Sequence, residues 1–202
     1  MKSYFLNILI LLIAFTSVCY SQTAEEYFDK AGAKFNLMDY SGAIAYYDKA
    51  IELNPKFAIA YNNRGIVKEQ LEDHSGAIAD YNKAIELSPT AKAYYNRGIS
   101  KDILQDNRGA IIDYAKAIEL NPRYEDAYYD RGIAKRHLLD YNGAIADYTM
   151  VIQINQKSAD AFYARGIAKL KIGQKESACL DFSKAGELGE VKAYEAIREY
   201  CQ

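Results

Sequence analysis

The chain has 202 residues, 50% of them hydrophobic and 26% charged, too apolar a composition for a disordered polymer. Its 25 basic and 27 acidic residues give a formal net charge of −2, and no Arg-rich run supplies the basic face that nucleic-acid binding needs. The composition is unusual in holding 19 Tyr and no Trp.

The first predicted element is a targeting segment. Lys2 precedes a nearly unbroken run of Leu, Ile and Phe from Tyr4 to Phe15, and Thr16, Ser17 and other small or polar residues follow as far as Ser21. About a dozen apolar residues are too few to span a bilayer and read as a secretory signal over residues 1–21. Cleavage after Ser21 suits the small side chains of Cys19 and Ser21, so the mature chain starts at Gln22 and is expected to be exported, periplasmic or secreted. Cys19 also allows a lipid anchor. The residue before it is Val18, where a lipobox carries Gly, Ala or Ser, so membrane contact is expected only if Cys19 is lipidated. Loss of Lys2 leaves about 24 basic against 27 acidic residues.

A repeat governs everything after it. The segment NRGI occurs at Asn63 and at Asn96, and returns as DRGI from Asp130 and ARGI from Ala164. Its glycines, Gly65, Gly98, Gly132 and Gly166, lie 33, 34 and 34 residues apart, and GAIADY or a near copy follows at Gly76, Gly109 and Gly143. A period in the thirties marks stacked helical hairpins rather than one globular core. Aligned on the glycines, the array 24–192 divides into units 24–57, 58–90, 91–124, 125–158 and 159–192, with a capping helix in 193–202. The second unit is one residue shorter. Pro89 to Gly98 is 9 residues where Pro55 to Gly65 is 10, so the missing residue belongs to the turn between units.

Within a unit, segments such as Ala91 to Leu104 and Gly109 to Leu120 carry apolar residues at helical spacing, around a polar turn at Gln105 to Arg108. Pro55, Pro89 and Pro122 separate successive units. The glycines are expected to bring paired helices together, Gly65 facing Ala77, with Tyr61 and Tyr81 in the wider space beyond. A stripe of Ile44, Ile78, Ile111 and Ile145 with Ile51, Ile85, Ile118 and Ile152 is expected to face the following unit. At the end of the chain, Tyr194, Ile197 and Tyr200 share the inner face of the cap.

Cys179 takes the stripe position of Ile111, and Cys201 that of Ile66 and Ile99. The two are expected to meet, either as a disulfide closing a loop of some twenty residues or as two buried apolar thiols. Arg64, Arg97, Arg131 and Arg165 are followed four residues later by Lys68, Lys101, Lys135 and Lys169, and each second helix carries Asp80, Asp113, Asp147 or Asp181. Because acid recurs with base, a ladder between helices is preferred to a basic ligand track.

The unit pattern resembles the tetratricopeptide repeat. The early aromatic is Tyr27, Tyr61, Tyr94, Tyr128 or Phe162, and the small residue Ala31, Gly65, Gly98, Gly132 or Gly166. The second helix has Ala43, Ala77, Ala110, Ala144 or Ala178, then Tyr47, Tyr81, Tyr114, Tyr148 or Phe182, then Ala50, Ala84, Ala117, Val151 or Ala185. Ala31 for Gly, and Gln156 and Glu190 for Pro, are departures expected of end units. The resemblance implies an all-α, right-handed α-solenoid of five helix-turn-helix units plus a C-terminal capping helix. It also implies a concave groove for another protein or peptide, lined by Phe28, Asn62, Asn63, Tyr95, Asn96, Tyr129, Asp130, Arg136, Tyr163 and Leu170, with Asp102 and His137 beside them. Phe28 and Gly32, and one frame later Asp126 and Asp130, stand where a carboxylate-clamping version of the family has Lys and Asn, so that clamp is not expected.

For chemistry there is only His74 and His137, in different units and without partners. No nucleophile elbow, Cys-x-x-Cys or phosphate loop accompanies them. Neither catalysis, a cofactor nor a metal is therefore expected. The reading is an exported interaction scaffold; the alternative is a self-associating structural protein of the cell envelope, a homo-oligomer.

Overall fold

Eleven α-helices and no strand make up residues 22–202, the described part of a computed structural model. The segment 1–21, with Cys19, lies outside the described residues. The rest forms two compact units, one ending at Pro55 and the other running Lys56–Gln202. No helix among the described residues is long and apolar enough to cross a membrane.

The first unit holds α1 (Ala24–Asn36) and α2 (Tyr40–Leu53). Thr23 and Asp39 cap them by accepting the N–H groups of Glu26 and Gly42. Ala31, Ala43, Tyr47 and Ala50 are buried between the two helices. Here Tyr46 stands where later hairpins have the ladder aspartate. Its ring stacks on Tyr27 at 6.1 Å, and Lys49 lies over both rings, so aromatic and cation–π contacts replace the ion pair.

The second unit is a stack of hairpins: α3 (Ala58–Gln70) with α4 (His74–Leu87), α5 (Ala91–Ile103) with α6 (Asn107–Leu120), α7 (Glu125–His137) with α8 (Tyr141–Ile154), and α9 (Ala159–Lys171) with α10 (Lys175–Glu187). A single helix, α11 (Val191–Tyr200), closes it. Each helix packs on the next, and the first helices also touch one another, α3 on α5 and α5 on α7. Ile111 packs with Tyr114 against Ala134 of the following hairpin, and Ile118 and Ile152 join a cluster with Tyr128 and Ala161.

The turn inside a hairpin is tighter than the polar spacing suggests. Asp106 begins α6 two residues ahead of Gly109 because its carboxylate accepts the Gly109 N–H at 2.9 Å. The same aspartate ends α5: its N–H donates to the Lys101 carbonyl and the Gln105 N–H to that of Asp102, a Schellman closure. That closure requires a left-handed residue. Glu72, Gln105 and Leu139 supply it at φ of 60°, 64° and 63°, and Gly173 takes the same position at 79° in the last hairpin. A side chain held there costs about 1 kcal/mol or more, while glycine adds roughly 0.5–1 kcal/mol of unfolded-state entropy. Gln105→Gly is therefore expected to raise the thermal midpoint slightly, read by circular dichroism; a lowered midpoint would contradict the account.

The packing of the hairpins corrects one sequence expectation. What lies nearest Gly65 is the ring of Tyr81 rather than Ala77. A methyl group on Gly65, Gly98, Gly132 or Gly166 would come within 2.7, 2.6, 2.7 and 2.6 Å of a ring carbon of Tyr81, Tyr114, Tyr148 and Phe182 respectively. The glycine is thus a hole for the large side chain of the second helix, and each of those rings is at most 1% exposed. Tyr61 is not its companion in that space; it lies under the Arg64 guanidinium at 5.4 Å. The hydroxyls of Tyr81 and Tyr148 are buried without a hydrogen-bond partner. An unmet buried hydroxyl costs about 1–3 kcal/mol, so Tyr148→Phe, matching native Phe182, is expected to be neutral or stabilising in chemical denaturation.

Base and acid do form a ladder. Arg97 donates through Nε and Nη2 to Asp113 at 2.9 and 2.6 Å, and Lys101 reaches the same carboxylate at 2.7 Å. The arrangement recurs at Asp80, Asp147 and Asp181. Arg97 and Arg165 also reach the preceding hairpin, at Asn82 and Thr149.

The cap differs from expectation as well. Ala193 and Ala196 are its buried residues, with Ile197 and Cys201 packed beside them, while Tyr194 is 55% exposed. Small residues let α11 lie close on α10. Tyr194 instead lies along the surface and donates its hydroxyl to the Gly186 carbonyl at 2.9 Å.

Candidate functional site

Helix register places three rows along the first helices of the second unit. Three residues before each glycine come Asn62, Tyr95, Tyr129 and Tyr163; two before, Asn63, Asn96, Asp130 and Ala164; four after, Glu69, Asp102, Arg136 and Leu170. The first two rows join neighbouring hairpins. Asn96 donates to the Asn62 side chain at 3.3 Å, and Asn62 donates to Asn63 at 3.2 Å. Both Asn62 and Asn96 are only 8% exposed, so their amides serve mainly the wall between hairpins. One hairpin further on, Tyr95 donates to Asp130 at 2.7 Å.

The tyrosines are half-buried, each with a second-helix ring behind it. Tyr95 lies 5.8 Å from Tyr114, Tyr129 5.6 Å from Tyr148 and Tyr163 5.7 Å from Phe182. Tyr95 is also covered by Tyr124, the residue before α7, at 4.8 Å. Burial, followed by the nearby Asp130 charge, pushes the Tyr95 hydroxyl well above the usual tyrosine value, so it remains a donor. Phe28 stands in the other compact unit, its ring 5.6 Å from Tyr47. Leu170 lines a depression of about 390 Å³ with Ile167, Lys171 and Tyr200.

Acid dominates the α3–α7 part of this face. Burial raises the carboxyls of Glu69, Asp102 and Asp130; a hydrogen bond from Ser100 partly offsets this at Glu69, the His137 charge at Asp102, and the Tyr95 hydroxyl at Asp130. One Asp102 oxygen is buried with no partner. All three charges bear on the Tyr114 hydroxyl, so they converge on one region. Arg136 lies nearer Tyr148 and Tyr129 and pulls both hydroxyls down against burial. Sequence reasoning missed Glu69 and Tyr124 as members of this face; the only signal was their fixed offset from the glycines.

The sign of the pH effect follows from the direction of these shifts. A carboxyl raised by folding contributes stability at pH below its ordinary value, 3.8 for Asp130, and loses it as the pH climbs through the folded value. Asp130→Asn keeps an acceptor for Tyr95 and removes the buried charge. It is expected to be more stable than the parent at neutral pH, with the difference shrinking toward pH 3.8. Denaturation midpoints at the two pH values check this, and a difference that grows on acidification would contradict it.

His137 faces Asn107 across 3.3 Å, and His74 is the first residue of α4, in another hairpin. Among the described residues no cluster of three His, Cys, Asp or Glu side chains could hold a metal ion. Cys179 and Cys201 are joined in a disulfide with Cα atoms 5.7 Å apart, tying the end of α11 to α10.

Comparison with known proteins agrees with this architecture. Tetratricopeptide repeat families match residues 58–90 and 91–124, and a TPR repeat family matches 39–72. The crystal structure of MamA protein is similar, with 28% identity, 85% of this chain and 94% of that one covered, and a TM-score of 0.78. YrrB, described as a TPR protein with an unusual peptide-binding site, shares 25% identity over 87% of this chain and 92% of its own, with a TM-score of 0.78. PilW, described as a type IV pilus biogenesis factor, shares the fold at 21% identity, covering 83% of this chain and 78% of its own with a TM-score of 0.69. No curated protein matches the chain in sequence. Hairpins of 33 or 34 residues, each locked by a glycine under a buried ring, together with these matches identify the chain as a tetratricopeptide repeat protein.

Proposed function

We propose that the protein is an exported, non-catalytic scaffold that holds a segment of another protein against its first helices. One observation carries the reading: Tyr95, Tyr129 and Tyr163 recur in register on α5, α7 and α9, each half-buried and backed by a second ring. Backed rings are rigid and pay little entropy on binding, which is what recognition surfaces use tyrosine for. The peptide-binding description of YrrB supports the same role. Export is supported by the apolar segment 4–15 and by the Cys179–Cys201 bridge, which persists in oxidising compartments.

A photo-crosslinking side chain placed at Tyr129 or Tyr163 in cells tests the site. It is expected to capture a partner protein, whereas the same group at Ile112, 63% exposed on α6, is not. Capture from Ile112 alone would move the site to the second helices. The intact mass of the mature chain tests export: it should begin at Gln22. Self-association remains the second reading because Leu180, Val191 and Tyr194, 74%, 72% and 55% exposed, leave apolar surface near the cap. Light scattering that finds a monomer at tens of micromolar would remove it.

A further inference from the structure

Two bonds early in the stack show how inner-face groups find partners on the following hairpin. Tyr95 of α5 donates to Asp130 of α7, and Glu69 of α3 accepts from Ser100 of α5. On α7 the places of Tyr95 and Glu69 are held by Tyr129 and Arg136, and on α9 the places of Asp130 and Ser100 by Ala164 and Ala168. These alanines are buried against Tyr148, with Tyr129 packed beside them, and their methyl groups offer nothing to a polar neighbour. Among the described residues the Tyr129 hydroxyl and the Arg136 guanidinium accordingly make no hydrogen bond and no ion pair. Both residues are half-buried. Arg131 and Lys135 of the same helix, by contrast, are both held by Asp147.

The surroundings of Arg136 set the character of what it can receive. The Tyr148 hydroxyl is buried without a partner, and on it Arg136 outweighs Asp147 and Asp130. Asp160 and Glu190 act on Tyr129 from the start of α9 and from the residue before α11, so the positive side of this stretch is the Arg136 side. Next in the row of Arg136 stands Leu170, which with Ile167 and Tyr200 gives apolar walls to the depression of about 390 Å³. Lys171 adds a cation there, and among the described residues no acid lines it.

We propose that Arg136, assisted by the Tyr129 hydroxyl, receives a Glu or Asp side chain of the partner segment, while an apolar side chain of the same segment enters the depression at Leu170 and Tyr200. The proposal rests on the first helices being the binding face. A guanidinium matches a carboxylate with two parallel N–H donors, and a half-buried cation without a partner gains most from acquiring one. Packed helices stand roughly 8–10 Å apart, which an extended segment covers in about three residues, so acid and apolar residue belong at that spacing.

The test uses the full chain and three acetylated, amidated peptides. The first carries Glu-Ser-Gly-Leu-Gly-Ser-Glu, with an acid on either side of Leu so that both chain directions fit; the second has Lys for each Glu, and the third Ala for Leu. NMR of the Arg side-chain Nε–H groups and of the Ile and Leu methyls reads the binding. The Glu and Leu peptide is expected to shift the Arg136 Nε–H and the methyls of Ile167 and Leu170. The other two are expected to bind at least about tenfold more weakly, the loss that follows removal of a hydrogen bond to a charged group. Arg136→Gln is expected to weaken the first peptide by the same factor, and Arg136→Glu to transfer the preference to the Lys peptide, both with helical content unchanged. Two variants are used so that misfolding of one leaves the other decisive. Equal binding of the Glu and Lys peptides, indifference to Arg136→Gln, or no binding by any peptide at millimolar concentration overturns the proposal. So does movement of these resonances with protein concentration alone, which would make the occupant a second copy. If the peptides fail while crosslinking from Tyr129 or Tyr163 captures a partner, the acidic guest falls and the binding face stands; if crosslinking fails as well, both fall.

Discussion

Asp113→Ala is expected to cost about 3 kcal/mol, at the lower end of the roughly 3–5 kcal/mol that follows removal of one partner from a buried ion pair. Asp113 is buried to 1% side-chain exposure under Arg97 and Lys101, which are themselves 18% and 22% exposed. Removing it strands two cations, and their residual solvent contact is why the upper end is not reached. Arg97 further links α6 to Asn82 of the preceding hairpin, so the loss falls between hairpins as well as within one. In a stacked array, stability is close to a sum of units and interfaces, so the variant is expected to unfold in urea with a lower midpoint and a reduced slope as the two sides decouple. The Lys116–Glu119 pair, 51% and 65% exposed, is the control, and Glu119→Ala should leave the curve unchanged. A loss for Asp113→Ala below about 1 kcal/mol would refute the ladder as a structural element.

Tyr114→Ala is expected to be at least as severe, about 3–5 kcal/mol, because it empties the hole that Gly98 provides. The ring is 1% exposed and packs in one cluster with Ile111 and Ala134, so little can collapse to fill the space. Gly98→Ala probes the same contact from the other side. Alanine gains about 1 kcal/mol of helix propensity, but its methyl group would stand 2.6 Å from a fully packed ring, and overpacking costs roughly 1–3 kcal/mol. Overpacking wins, and the variant is expected to be destabilised by equilibrium denaturation. The first hairpin holds Ala31 and Tyr47 in the corresponding places, both buried.

These two contacts show what the sequence made legible. The 34-residue period, the helix pairs and the Arg–Asp ladder follow from recurrence, because identical residues at identical offsets must answer identical surroundings. Recurrence did not say which second-helix residue lies opposite the glycine: Ala77 and Tyr81 recur equally well, and only the helix crossing puts the ring in the hole. Likewise Asn62 and Asn96 read as groove residues one repeat at a time. Their burial comes from a bond between positions 34 residues apart and in different rows. A cavity of about 530 Å³ beside Ile59, lined also by Phe57, was hidden for the opposite reason, since Asn62 and Thr90 stand in its wall at the positions where the next junction has Tyr95 and Tyr124. Its trace in the sequence was the shortened turn before Thr90 and Asn62 standing where Tyr95 stands one unit later. The bare acid of Asp102 left no trace, being a matter of desolvation.

The bonds that cross between hairpins of the second unit reach a neighbouring hairpin, over 15 residues from Asn82 to Arg97, 34 from Asn62 to Asn96 and 35 from Tyr95 to Asp130. Genetic duplication or deletion of a whole unit such as 91–124 would accordingly rejoin like with like, its entering face meeting the departing face of the neighbour. Length is therefore an adjustable trait in this architecture, open to change by unequal recombination, whereas losing a single residue inside a helix would misalign glycine and ring in every contact of that hairpin. The one-residue shortening the chain does contain falls where this reasoning allows it, in the linker before Thr90.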